Sequence, residues 1–281
     1  MCEMMLCLAT YSIGITLFLS LLTAAASLES VRYRLKFTFF LLICAIVPTV
    51  CIPLMLRRIR NWRNALIPAL SIRLGGKFLG VTFRIRGKEN IVKDSGCIVL
   101  INHQSALDLC VLGELWPVLE RCTVIAKKEI MYFGPFGLAT WLWGTIFINR
   151  RRGEQAQDTV NSTAQSIKDL KAKLLLFPEG HRHSRASLLP FKKGAFHLAI
   201  ASQTPIQPVV VSRYYFLNGK LKRFNSGSSC ITILPPVSTE GLTKDDLPML
   251  MDKVYETMNK TFVESTEECL NEHIKTLKGD E

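Results

Sequence analysis

The chain has 281 residues, 48% of them apolar, and a formal net charge of +12. That length suits one α/β domain with a full core and a shorter appended segment. The basic balance fits either nucleic acid or an anionic membrane surface, and long uncharged runs near the N-terminus favour the membrane and argue against nucleic acid. Nine cysteines without a CxxC pair, several inside apolar runs, fit reduced core or membrane residues better than a disulfide frame or a zinc site.

Two runs carry no charge, Met4 to Leu28 and Phe37 to Leu56, and each meets the roughly 20-residue length that spans a bilayer as a helix. The first is expected to be a retained anchor: its head carries Glu3 and no Lys or Arg, and the run exceeds a signal-peptide core, although Ala24, Ala25 and Ala26 would suit a peptidase. In the second, Pro48 and Pro53 each remove a backbone donor, so a bent segment within one leaflet competes with a full span. Arg57, Arg58, Arg60 and Arg63 follow this run and place the main domain in the cytosol. Nine Lys or Arg lie between Arg57 and Lys88 with no acid among them. The block is read as a surface held against anionic headgroups, at about 1 kcal/mol per cation. The expected domains are a membrane-anchoring helical segment over residues 1–62 and an α/β domain over 63–281.

Beyond residue 62, β-branched runs alternate with longer amphipathic ones. Strands are predicted at 81–87, 97–101, 122–126, 145–148, 173–177, 206–212 and 230–234, and helices at 105–116, 155–171, 194–202 and 245–273. The alternation predicts a central, mostly parallel sheet covered by helices on both faces, with ligands outside the carboxyl ends of its strands. The uncharged stretch 131–148 is interrupted by Gly134, Pro135, Gly137 and Gly144, so it reads as an interfacial or buried segment near an apolar ligand.

Four polar stretches fall at or near predicted strand ends. In INHQSALD, His103 and Asp108 are five positions apart, about 140° of rotation on a regular helix. They meet if His103 sits in the turn before the helix, with Ser105 as N-cap and Asp108 in the first turns. An aspartate on one imidazole nitrogen leaves the other as a base; the plain alternative is a polar turn with a capping Asp. In FPEGHRHS, Glu179, Gly180 and Arg182 offer a carboxylate, a flexible backbone and a planar cation suited to a phosphate monoester. His181 and His183 have no third ligand at a usual spacing, so no metal is expected. In FINRRRGE, Arg150 is best placed to join Arg182 in clamping a dianion. Lys192, Lys193 and Gly194 open an amphipathic helix whose N-terminus favours anions, and His197 on it reads as core beside Phe196 and Ile200. Cys110, in the apolar DLCVL run, has no evident cation to lower its pKa and is discounted as a nucleophile. A base, cations for phosphate, an apolar approach and an anchor together call for a substrate with a hydroxyl, a phosphate and a fatty chain.

These stretches resemble a known family. NHQSALD resembles the NHxxxxD motif of the glycerolipid acyltransferases, FPEGHR their FPEGTR block, IFINR their FIDR block and PIQPVV their IVPVV block. With further similarity in KKGAFHLA and ILPPVSTEGLT, the resemblance covers roughly residues 80–265 and is closest to the endoplasmic-reticulum 1-acylglycerol-3-phosphate acyltransferases. It implies transfer of a fatty acyl group from acyl-CoA, a co-substrate, to the sn-2 hydroxyl of lysophosphatidic acid, without a cofactor, by a protein held among membrane lipids. Carried over, His103 is the base and Asp108 its orienter. Arg150, Glu179, Gly180 and Arg182 form the phosphate site, with Asn102, Lys193 and His181 as further candidates. Two positions depart from the pattern: His181 replaces threonine and Asn149 replaces aspartate, and both bear on headgroup preference. Other acceptors, such as glycerol 3-phosphate or another lysophospholipid, fit the same chemistry. A serine hydrolase fits less well, since no GxSxG elbow is present; a non-catalytic membrane scaffold remains the third alternative.

Overall fold

The computed structural model describes residues 28–148 and 167–279, with Ile15, Thr16, Ser20, Ala164 and Gln165 beside them. Most of the first apolar run, Asn149, Arg150 and most of the helix expected at 155–171 lie outside the described residues; of that helix, Ala164, Gln165 and Ile167–Asp169 are helical.

The strands are β1 (Val81–Arg86), β2 (Cys97–Ile101), β3 (Cys122–Lys127), β4 (Ile146–Ile148), β5 (Lys173–Leu176), β6 (Ile206–Val211), β7 (Leu217–Asn218), β8 (Arg223–Phe224) and β9 (Gly227–Ile233). Seven of them form one sheet in the order β1-β9-β6-β2-β5-β3-β4, and β7 with β8 makes a small hairpin. Neighbouring pairs in the sheet are parallel except β6 with β9. The carboxyl ends of β6, β2, β5, β3 and β4 therefore lie along one edge.

Every residue of β2 and β6 is buried, as a sheet covered on both faces requires; β2 is apolar throughout, and β6 is apolar but for Gln207, whose side chain accepts from Val92 N–H at 3.1 Å. The two-residue period divides β2 between two cores. Cys97, Val99 and Ile101 join the N-terminal helices and the helix that follows β2, whereas Ile98 and Leu100 join the helices that precede β6 and follow β9. The helices are α1 (Glu29–Val50), α2 (Ile52–Met55), α3 (Leu66–Phe78), α4 (Asp108–Leu119), α5 (Gly134–Leu142), α6 (Gly194–Ser202) and α7 (Leu247–Gly279).

The second apolar run does bend. Pro48 closes the last turn of α1, the helix stops at Cys51, and Pro53 lies in the first turn of α2. α1 is long and apolar enough to cross a membrane by length and composition. It nevertheless packs along the domain, with Phe40 fully buried and Tyr33 and Phe37 against the same core. Leu35, Phe39, Leu42, Ile46 and Val50 point outward. Residues 66–78, for which no element was predicted, form α3. Its outward stripe of Ile67, Leu70, Leu74 and Phe78 follows helical spacing, and Phe78 meets Phe39 at 5.2 Å between ring centroids. Gly75 permits this approach: a Cβ there would lie 2.8 Å from Ile43 Cδ1. The uncharged stretch 131–148 becomes a short turn, α5 and β4.

The basic block is not one surface. Arg84 and Arg86 pair with Glu272 and Glu268 on α7, and Arg73 Nε lies 2.9 Å from Glu114 Oε2. The alternating pattern of β1 could not show that its outward arginines face a helix nearly 200 residues away. His197 also departs from expectation: it is exposed with Gly194 and Ala201, on the face of α6 opposite Phe196 and Ile200.

Candidate active site

The adjacent strands β6, β2 and β5 end side by side, and the chain leaves them as Ser212–Tyr214, Asn102–Ala106 and Phe177–Gly180. At the β2 exit, His103 Nδ1 lies 2.6 Å from Asp108 Oδ2. The helix begins at Asp108, three residues later than expected, and Ser105 accepts from Leu107 N–H at 3.3 Å within the preceding turn. The reason is that Asp108 folds back: its Oδ2 also accepts from Gln104 N–H at 2.7 Å and Ser105 N–H at 3.1 Å, fixing the loop that carries His103. With an ionised carboxylate on Nδ1–H, Nε2 carries the lone pair. The imidazole side chain is 15% exposed and stacks on Phe177, with ring centroids 4.0 Å apart. One nitrogen is thus oriented from behind while the ring keeps access to the exterior, the arrangement a general base needs.

Glu179 is brought to this place, but its fully buried side chain faces inward. Oε1 accepts from His103 N–H at 2.7 Å, and Oε2 accepts from Leu189 N–H at 2.8 Å and bonds His183 Nε2. Arg185 N–H donates to His183 Nδ1 at 3.2 Å, so Nε2 is the protonated nitrogen facing the carboxylate. Glu179 therefore joins the β2 and β5 exits in place of lining a phosphate cradle, because a buried carboxylate needs several donors. Asn102 is likewise occupied: its Nδ2 donates to Val211 O at 3.0 Å and its Oδ1 accepts from Val211 N–H at 2.7 Å, extending the β2–β6 ladder by one rung.

Gly180, His181 and Arg182 are exposed on the same turn as Glu179. Gly180 has φ +76°, and a Cβ there would lie 2.5 Å from Lys192 Cε and Nζ, so the glycine lets the ammonium reach over the turn. Among the described residues, neither Arg182 nor Lys192 forms an ion pair. Lys192 rather than Lys193 approaches the turn; Lys193 is the N-cap of α6. His183, with both ring nitrogens engaged, is a structural clamp. Among the described residues, no three of His, Cys, Asp and Glu converge to hold a metal. Cys110 is buried, and burial pushes its thiol pKa up, an environment that disfavours the nucleophilic thiolate.

Three contributors were not singled out from sequence. Gln104 donates through Nε2 to Val211 O at 3.0 Å and Ser212 O at 3.1 Å, and its Oε1 accepts from Tyr214 N–H at 3.1 Å. Tyr214 donates its hydroxyl to Asp108 Oδ1 at 2.8 Å. Phe177 backs the imidazole. Gln104 and Phe177 lie inside motifs already marked, whereas nothing along the chain links Tyr214 to Asp108. A cavity of about 230 Å³ also opens beside the site, lined almost wholly by apolar groups including Ala69, Leu109, Leu112, Trp116, Phe136 and Trp143. It reaches α4 at Leu109, next to Asp108.

A mostly parallel α/β sheet with a His–Asp pair at its carboxyl edge is a scaffold for base-assisted group transfer, and the acyltransferase family model matches residues 82–212. The chain is 41% identical over 239 residues to the 1-acyl-sn-glycerol-3-phosphate acyltransferase alpha of Mus musculus, spanning 84% of this chain and 83% of that one. It is 36% identical over 262 residues to the human beta form, spanning 93% and 92%. Among solved structures, the 1-acyl-sn-glycerophosphate (LPA) acyltransferase PlsC from Thermotoga maritima matches with a TM-score of 0.65 at 22% identity, over 84% of this chain and 97% of that one, a likeness of fold. The chain belongs to the 1-acyl-sn-glycerol-3-phosphate acyltransferase family.

Proposed function

We propose that this chain transfers a fatty acyl group from acyl-CoA to the sn-2 hydroxyl of 1-acylglycerol 3-phosphate, giving phosphatidic acid and free CoA. The observation that carries the reading is the His103–Asp108 pair at the carboxyl edge of the sheet, beside a turn that bears Arg182 and over which Lys192 reaches, neither cation forming an ion pair among the described residues. His103 Nε2 takes the hydroxyl proton as the oxygen attacks the thioester carbon. The carbon–sulfur bond then breaks, and the departing thiolate receives the proton from the imidazolium. A thioester is already activated, so positioning two substrates contributes several kcal/mol, of the order known for oriented reactions, and general-base help adds about 100- to 10,000-fold. Arg182 and Lys192, with Arg150, two positions beyond β4 along the sequence, hold the acceptor phosphate; Gly180 gives the turn its shape. The cavity beside Leu109 takes an acyl chain.

Residues 1–62 anchor the protein in the endoplasmic reticulum membrane, and 63–281 form the catalytic domain on the cytosolic side. The joined outward stripes of α1 and α3 support seating in lipid, and Arg57, Arg58, Arg60 and Arg63 support that orientation. The test is an acceptor panel in detergent: labelled acyl-CoA with lysophosphatidate, lysophosphatidylcholine, glycerol 3-phosphate or water. Lysophosphatidate is expected to be acylated at sn-2, His103→Ala to lose turnover, and Arg182→Ala to raise the acceptor KM with kcat largely kept. Equal acyl-CoA hydrolysis without any acceptor would overturn the assignment, as would full activity of His103→Ala.

A further inference from the structure

Asp108 is held by more than the histidine. Its Oδ2 serves His103, Gln104 N–H and Ser105 N–H, while its Oδ1 accepts the hydroxyl of Tyr214 at 2.8 Å. Tyr214 comes from the exit of β6 and is buried, 4% exposed. Gln104 locks that exit to the β2 loop by accepting from Tyr214 N–H at 3.1 Å and donating to Ser212 O at 3.1 Å. The hydroxyl therefore reaches the carboxylate from a segment fixed at its main chain, and its direction is set by the fold. Burial and the neighbouring Asp108 charge push the Tyr214 hydroxyl pKa well up, so it remains a donor throughout the range in which such an enzyme is assayed.

We infer that Tyr214 is a positioning residue for the reaction: its hydroxyl draws charge from the outer oxygen of Asp108 and thereby sets the pH at which His103 becomes a free base. The inference rests on the His103–Asp108 reading of the site. A donor on a carboxylate stabilises the anion and lessens its pull on a neighbouring imidazolium. Removing the donor acts in one direction by two routes. The carboxylate holds the imidazolium more strongly, and the carboxyl itself takes up a proton more readily in its buried place; each moves the onset of activity to higher pH. Around the pair, among the described residues, lie Cys110 on α4, Glu179 with its partner His183 from the β5 exit, and, next to Tyr214 on the β6 exit, the exposed Arg213; Arg182 and Lys192 belong to the neighbouring 180–192 segment. A change at Tyr214 leaves all of them in place.

The experiment is the pH profile of kcat/KM, measured with saturating acyl-CoA and varied lysophosphatidate, for the full chain in detergent. Tyr214→Phe is expected to shift the acid limb upward by about 0.5 to 1 pH unit, which is a loss of about 3- to 10-fold at a pH below the limb, with the acceptor KM unchanged because the hydroxyl touches neither substrate. Phe83 packs edge-on against the same ring, with centroids 6.2 Å apart. Phe83→Leu therefore loosens the ring without removing the hydroxyl, and is expected to lower the melting temperature while leaving the limb where it is. Should Tyr214→Phe fold poorly, 3-fluorotyrosine at position 214, a stronger donor of nearly the same shape, is expected to move the limb to lower pH. A limb unmoved in both Tyr214 variants, or moved equally by Phe83→Leu, overturns the inference. His103→Ala measured alongside separates the two readings. If it is inactive while the limb stays fixed, Tyr214 alone loses its role; if it is active, the base assignment itself fails.

Discussion

Replacing Glu179 by glutamine exchanges a carboxylate that serves three donors for a group with one acceptor oxygen and one donor nitrogen. Whichever way the amide is turned, its N–H₂ confronts a buried N–H. In one orientation it faces His103 N–H, which now donates at 2.7 Å; in the other it faces Leu189 N–H at 2.8 Å and the His183 ring. His183 cannot switch tautomer freely, because its Nδ1 accepts from Arg185 N–H at 3.2 Å. A buried donor left without an acceptor costs about 1 to 3 kcal/mol, and loss of the charge weakens the bonds that remain. Together these give an expected destabilisation of about 2 to 4 kcal/mol, or about 5 to 10 °C in melting temperature for a chain of this size. Thermal unfolding in detergent, followed by near-ultraviolet circular dichroism, reads the stability. Steady-state kinetics on the same preparation is expected to show a lower kcat, since the main chain of His103 loses its anchor, with an acceptor KM close to that of the wild type. A melting temperature within about 1 °C of the wild type, combined with a raised acceptor KM, would refute this reasoning and return Glu179 to the phosphate site.

Gly180→Ala is expected to cost about 1 to 2 kcal/mol from its left-handed backbone alone, and its new methyl displaces the Lys192 ammonium. A lysophosphatidate titration should then show an acceptor KM raised about fivefold, the equivalent of one exposed charge contact. Ala69→Phe places a ring in the apolar cavity beside the site. Turnover of a long-chain acyl-CoA relative to one a few carbons shorter is expected to fall about tenfold, as if two methylenes lost their burial; an unchanged ratio across a chain-length series would remove the cavity from acyl binding.

Much of the fold follows from local pattern. The strands at 97–101 and 206–211 are buried because CIVLI is apolar throughout and IQPVVV is apolar but for Gln207, as suits a sheet covered on both faces, and the alternating helices and strands make the block largely parallel. The His103–Asp108 pair was legible because both groups lie within one turn, where the chain itself sets their distance. Glu179 and Asn102 take partners that the sequence does not show, for a common reason, and His197 lies within α6, where its apolar neighbours concealed an exposed face. A polar residue at a strand exit can face a ligand, a neighbouring strand or a partner loop, and its identity does not distinguish these. Glu179 turned inward to backbone donors, Asn102 turned to Val211, and His197 settled on the solvent side of α6. The basic block misled in the same way, since Arg84 and Arg86 found acids on α7.

The sequence by itself determined the α/β class, the strand ends on which chemistry could be mounted, and the approach of His103 to Asp108, because each depends on residues a few positions apart. The tertiary structure decided the rest: that Glu179 reaches His103 across 76 positions, that Tyr214 reaches Asp108 across 106, and that α1, α3, α4 and α5 line an open apolar cavity beside them. Such contacts exist only when β6, β2 and β5 stand side by side, and strand order is set by how the whole chain buries its apolar surface on both faces of the sheet, a property no short window of residues contains.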